Sequence, residues 1–255
     1  MRSPFSVIGS AVEPVEVADV KKIVDVFNKL MRRYKYLQKP FEETALRGIL
    51  QYTNKFSPIE QDKLAVATAL FVTGALASAS VLGALKKDHL VKDGTAVKFL
   101  ITFFKAYLAT ESVDHLSASL RRGGVADLEL FLPVNKQNPN EMASQLRAAG
   151  LGPIADNFVK IKASQAKEEL THRLHELVSD NADADEIVTY LESKAKSGVI
   201  PPVDFINLVW NGLLHDFDFD TKPEEISAKV VARINDDAPL LEPFCEKATT
   251  QVALV

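Results

Sequence analysis

Two histidines stand three apart in the stretch HRLHE, at His172 and His175. On a helix that spacing puts both rings on one face, where they could share a metal ion. Two ligands do not make a site, and no nearby cysteine or aspartate-rich loop completes one. The pair therefore reads as a solvated or partly packed face. Asp216, Asp218 and Asp220 alternate with Phe217 and Phe219 in HDFDFDTKPEE. Evenly spaced carboxylates resemble a calcium loop, but no glycine sits at the sharp turn and no glutamate at the twelfth position. Two readings of the segment remain. It is an acidic, aromatic loop suited to a lysine-rich partner, or a connector that tucks its phenylalanines into the core. Cys245 is the one cysteine of the chain. It excludes a disulfide framework and a multi-thiolate zinc site, and beside Phe244 it reads as a small core residue. No Walker loop, GxGxxG, GxSxG or HExxH occurs. We expect no catalytic residue, no metal and no cofactor, and read the chain as non-enzymatic.

The strongest binding signal lies elsewhere. In FNKLMRRYKYLQKPFEE, five basic residues and two tyrosines fall between Lys29 and Lys39 without an acid. At 100° per residue, Ile23, Val24, Phe27, Leu30, Met31, Tyr34 and Leu37 share one apolar arc, which predicts an amphipathic helix. Pro40 is expected to end it, because the residue before a proline resists the α region. Lys21, Lys22, Lys29, Arg32, Arg33, Lys35 and Lys39 occupy the opposite arc, and Tyr36 falls among them. Cations around an exposed ring suit phosphate contact with base stacking, and equally the docking of an acidic protein. A solvated helix face carries the same residues. Lys29, Arg32, Arg33, Lys35 and Tyr36 are the candidate partner- or RNA-binding set.

The elements that position these residues are helices. Ser57, Pro58 and Glu60 in SPIEQ form a capping-box start, and Asn138, Pro139 and Glu141 in NPNE repeat that grammar. Gly150 closes the second of these helices. VKFLITFFKAYL, from Val97 to Leu108, is apolar except for Lys98 and Lys105, a buried helix with a thin wet stripe. Gly123 and Gly124 end another. Later helices are predicted near 153–178, with a potential break at Ser164, then 184–197, 201–215, 223–235 and 238–247. Trp210, at helical spacing from Ile206, Leu213 and Leu214, reads as core. There is almost no period-2 alternation and no hairpin turn. Short loops and wide apolar faces predict an all-α chain, a HEAT-like α-solenoid of stacked antiparallel helix pairs.

Leu64 to Leu85 runs 22 residues without a charge, long enough to span a bilayer. Its small residues and TGALASAS break favour two buried helices meeting near Gly74, and no membrane association is expected. Charge divides the chain. Residues 180–247 hold 15 acids against 6 bases, and the remainder 19 acids against 24 bases. A basic front and an acidic back suggest two functional surfaces. We expect an irregular leader at 1–16, a helical domain at 17–155 and a second at 160–255. The apolar, uncapped ending ATTQVALV suggests a chain cut within a helix.

VFNKLMRRYKYLQKPFEE, LFLPVNKQ, LPVNKQNPNEMASQLRAAGL and APLLEPF together resemble the eukaryotic basic-leucine-zipper and W2-domain family, the initiation-factor-five mimic proteins. The resemblance runs with few gaps from about Val26 onward. It implies a HEAT-type domain like the middle domain of the initiation scaffold factor four-G, followed by a W2 domain. It also implies a non-enzymatic, cytoplasmic regulator. Family members bind the lysine-rich tail of the beta subunit of initiation factor two and contact initiation factor three. They thereby compete with initiation factor five and tune start-codon selection. A general RNA-binding role through the basic face, or contact with the ribosome, is the alternative. The family carries a further N-terminal stretch, and its aromatic and acidic boxes lie in W2 helices that would follow Val255. The resemblance thus implies a form shortened at both ends, with no box residue to carry over.

Overall fold

The computed structural model describes residues 17–180 and 184–213. Among them every regular element is helical, as the sequence predicts. The leader, the Asp216–Asp220 segment, Cys245 and the helices predicted at 223–235 and 238–247 lie outside the described residues. The chain divides into two compact units, Met1–Phe158 and Val159–Val255.

In the first unit, α1 spans Val17–Arg33 and buries Val20, Val24 and Met31. Phe27 extends that stripe, with its ring 5.6 Å from Phe71 and 5.6 Å from Phe41. The helix ends earlier than predicted. Tyr34 breaks it at φ −124°, ψ 70°, ahead of a 3-10 turn at Lys35–Leu37. A new helical run then begins with α2 (Gln38–Pro40), continues through a π-helical segment at Phe41–Leu46 and ends in α3 (Arg47–Leu50). Pro40 lies inside that run, at φ −59°, ψ −35°. It sits in the first turn, where an N–H would have no acceptor within the helix, so its missing donor costs nothing.

Two core assignments are also corrected. Leu30 and Tyr34 are 42% and 38% exposed, although both fall on the apolar arc. The buried seam is the narrower stripe Val20, Val24 and Met31, with half-buried Phe27 beside it. Beyond Arg33 the 100° rotation no longer applies, so a wheel cannot place Tyr34.

α4 (Pro58–Thr73) is the central helix of this unit. Its capping box forms as predicted, with Ser57 N donating to Glu60 Oε2 at 2.8 Å. Every residue from Lys63 to Leu70, and Phe71 and Val72 beyond it, is buried. A helix that is apolar all round belongs inside a core. The part of the uncharged segment in α4, Leu64 to Val72, is therefore interior, and no described helix is long and apolar enough to cross a membrane. Gly74 ends α4, but the following piece, Ala79–Lys86, is a 3-10 helix and not the second α-helix expected.

α5 (Asp88–Lys92), α6 (Thr95–Leu108), α7 (Val113–Arg122) and α8 (Pro139–Ala148) complete the unit. α6 lies along α4 and buries Phe99, Leu100, Phe103, Phe104 and Tyr107, while Lys98 and Lys105 face water as predicted. Asn138 caps α8 by accepting from Asn140 N at 2.8 Å. Glu141 does not complete a box there; it accepts from Gln145 Nε2 at 2.9 Å, one turn on.

α9 (Gly152–Ser179) runs without the break considered at Ser164, and the division between the units falls within it. In the second unit, Leu170, Leu174 and Leu177 of α9 meet Ile187 and Leu191 of α10 (Ala184–Ser197). Phe205, Ile206 and Val209 of α11 (Pro202–Leu213) close this core, and half-buried Trp210 packs against it.

A candidate basic and aromatic interface

The end of α1 is held in place by the Lys35–Leu37 turn and the helical run behind it. Leu37 N donates to Tyr34 O at 2.9 Å and closes the tight turn. Gln38 Nε2 donates to Ala75 O at 2.9 Å, just past the end of α4. Phe41 stacks edge-on against Phe71 at 5.0 Å. Glu42 Oε1 accepts from Ser78 N at 3.0 Å, and Arg47 Nη2 donates to Ser80 Oγ at 2.9 Å. One face of the 38–47 run thus grips the 75–80 loop through polar groups, which leaves the Lys35–Leu37 turn little freedom.

The candidate residues lie along the second half of α1 and in the turn that follows it. Lys29, Arg32, Arg33 and Lys35 are exposed, and Tyr36 is 74% exposed. The Tyr34 and Tyr36 rings meet at 70°, centroids 6.1 Å apart. Arg33 Cζ lies 5.7 Å from the Tyr34 centroid. Tyr34 is the member that sequence reasoning missed. The signal was present, since a second tyrosine two residues from the first, within a basic run, need not follow a helix wheel. Lys22, also on the basic arc, is drawn to Asp19 at 2.7 Å. Among the described residues, no ion pair engages Lys29, Arg32, Arg33, Lys35 or Lys39. Arg32 and Arg33 also occupy the last turn of α1, where cations offset the partial negative charge of a helix C-terminus.

The other candidates do not converge. His172 Nδ1 lies 3.4 Å from Glu176 Oε1 on α9. Arg173 Nη1 donates to Glu176 Oε2 at 2.9 Å, and this bond holds the carboxyl below its usual range. His172, Arg173, His175, Glu176, Ser179 and Asp180 line an open depression rather than a deep pocket. Among the described residues, no group of three or more potential metal ligands gathers. The acidic Asp216, Phe217, Asp218, Phe219 and Asp220 loop lies outside the described residues.

A family model for the 5MP1/2 HEAT domain matches residues 1–169. The chain belongs to this eIF5-mimic family. It is 31% identical over 239 residues to eIF5-mimic protein 1 of Homo sapiens and of Mus musculus, covering 92% of this chain and 56% of each relative. It is 31% identical over 242 residues to eIF5-mimic protein 2-B of Danio rerio, covering 94% of this chain and 57% of the relative. The chain therefore spans a little over half the length of these relatives. No solved structure matches it. Within the matched region, α4 and α6 supply the interior, and the basic and aromatic corner lies on α1 and the turn after it.

Proposed function

We propose that the chain is a non-catalytic helical adaptor that regulates translation initiation by binding initiation factors and competing with initiation factor five. The supporting observation is similarity to eIF5-mimic proteins along nearly the whole chain. In this reading the partners are initiation factors two and three, and the site of action is the cytoplasm. Residues 17–155 form the HEAT-type domain, and residues 160–255 correspond to the first part of a W2 domain. In this reading the acidic and aromatic Asp216–Asp220 segment is the docking surface for a lysine-rich partner.

Affinity capture tests the reading. Tagged chain is incubated with cytoplasmic extract, with tagged initiation factor five in parallel. The expected result is recovery of factor two or three, with recovery falling as free factor five is added. Recovery of neither factor, while factor five recovers both, overturns the reading for this chain.

A further inference from the structure

We propose that the corner at the end of α1 is a binding site for single-stranded RNA. One base stacks on Tyr36, and the phosphates on either side of it meet Lys29, Arg32, Arg33 and Lys35. Scattered exposed aromatics are ordinary on protein surfaces, and exposure alone would mean nothing. Here the backbone that carries the exposed ring is fixed, and the ring has an aromatic neighbour. The Lys35–Leu37 turn is closed by its own backbone bond, and its downstream neighbour Gln38 is tied to Ala75 O at 2.9 Å. Tyr34 braces Tyr36 at 70°, and Arg33 lies over Tyr34. A ring on a fixed turn loses less freedom when a base stacks on it than one on a mobile loop, so more of the stacking gain is kept.

Charge and size select the ligand. An acidic peptide would use the cations but gain little from an exposed phenol ring. A nucleic-acid strand uses both at every repeat of its backbone. A duplex hides its base faces in its own stack, and duplex RNA readers commonly span about 16 base pairs. The corner is one helix end and one turn, which suits a strand of a few nucleotides. Stacking and backbone charge carry no base identity, so weak sequence preference is expected. The cations are available, because none of them is engaged in an ion pair among the described residues. Arg32 and Arg33 have a second use at the helix terminus, so the decisive variants are at Tyr36, Lys29 and Lys35.

The test is fluorescence anisotropy on the full chain with a labelled, unstructured RNA of roughly 12 nucleotides, a stacking site with flanking strand. A fully paired hairpin and polyglutamate serve as controls. Wild-type chain should bind the single strand more tightly than the hairpin, and polyglutamate at equal charge should not displace it. Tyr36→Phe should bind within about twofold of wild type, while Tyr36→Ala and Tyr36→Leu should each weaken binding about tenfold. Replacing Lys29 and Lys35 by Gln should lower the slope of log affinity against log salt by about 1.4, or roughly 0.7 per lost phosphate contact. Tyr36 is exposed, so the melting curves of its variants should overlay that of wild type. Four results each overturn the proposal: no binding at low salt, unchanged binding in Tyr36→Ala, hairpin bound as tightly as the strand, or displacement by polyglutamate. The inference rests on the geometry of the corner and not on factor binding, so capture of factors without RNA binding, or the reverse, separates the two.

Discussion

At the scale of single residues, the most consequential buried polar group is a tyrosine. Tyr107 of α6 is fully buried, and its hydroxyl lies 3.0 Å from His115 Nδ1. Burial raises its pKa above the ordinary 10.0, because a phenolate loses hydration there. The folded state holds this proton more tightly than the unfolded state. By proton linkage, the associated stability is fully present below pH 10.0 and is lost as pH rises through the folded value. Tyr107→Phe removes that titration and one hydrogen bond worth about 1 kcal/mol. Thermal melts should therefore show the variant less stable than wild type at neutral pH, with the gap narrowing above pH 10.0. A gap that stays constant or widens in alkali would show that the phenol is not desolvated as described. This contact was not legible in the sequence, because the wheel places Tyr107 in the core without showing that His115, on the next helix, reaches its hydroxyl.

At the scale of elements, local signals were legible where a side chain closes its own helix. The Ser57–Glu60 box, the Asn138 cap and the Gly123 and Gly124 ending all depend on neighbours within a few residues, and all form. The exit from α1 was not legible. Pro40 looked like a stop, yet tertiary bonds from Gln38, Glu42 and Arg47 to the 75–80 loop sustain a new helical run around it. No window around Pro40 contains those partners. Close approach between elements was equally hidden. A Cβ added at Gly123 would lie 2.7 Å from Ser80 N and 2.9 Å from Ala79 C, so the end of α7 rests on the backbone that opens the Ala79–Lys86 helix. Gly123 has φ −79°, which any residue adopts, so the glycine is required for space and not for conformation. Gly123→Ala should cost about 1–3 kcal/mol through overpacking. Gly48→Ala, with no neighbouring atom within 4 Å, is the control and should be neutral or stabilising. Equal denaturation midpoints for the two variants would refute the close contact.

At the scale of the whole molecule, the basic corner was legible as a cluster because like charges adjacent in sequence stay adjacent whatever the backbone does. Its ligand was not, since cations and rings serve RNA and acidic proteins alike until their exposure and bracing are known. The proposed domain layout can be tested through the cores, which are separate sets of residues. Leu174 is fully buried at the centre of the second core, and its side chain sits 3.2 Å from where a Cβ on Gly212 would fall. α9 and α11 are therefore packed tightly there, and little collapse is available to fill a void. Leu174→Ala should cost about 2–5 kcal/mol, a large part of a typical domain's stability of roughly 5–15 kcal/mol. If the two units are separate domains, hydrogen exchange should quicken in α10, α11 and the latter half of α9. The amides of α4 and α6, which have their own core of Leu64, Leu70, Leu100 and Phe103, should keep their protection. Equal loss of protection in α4 would show one cooperative unit and refute the two-domain layout.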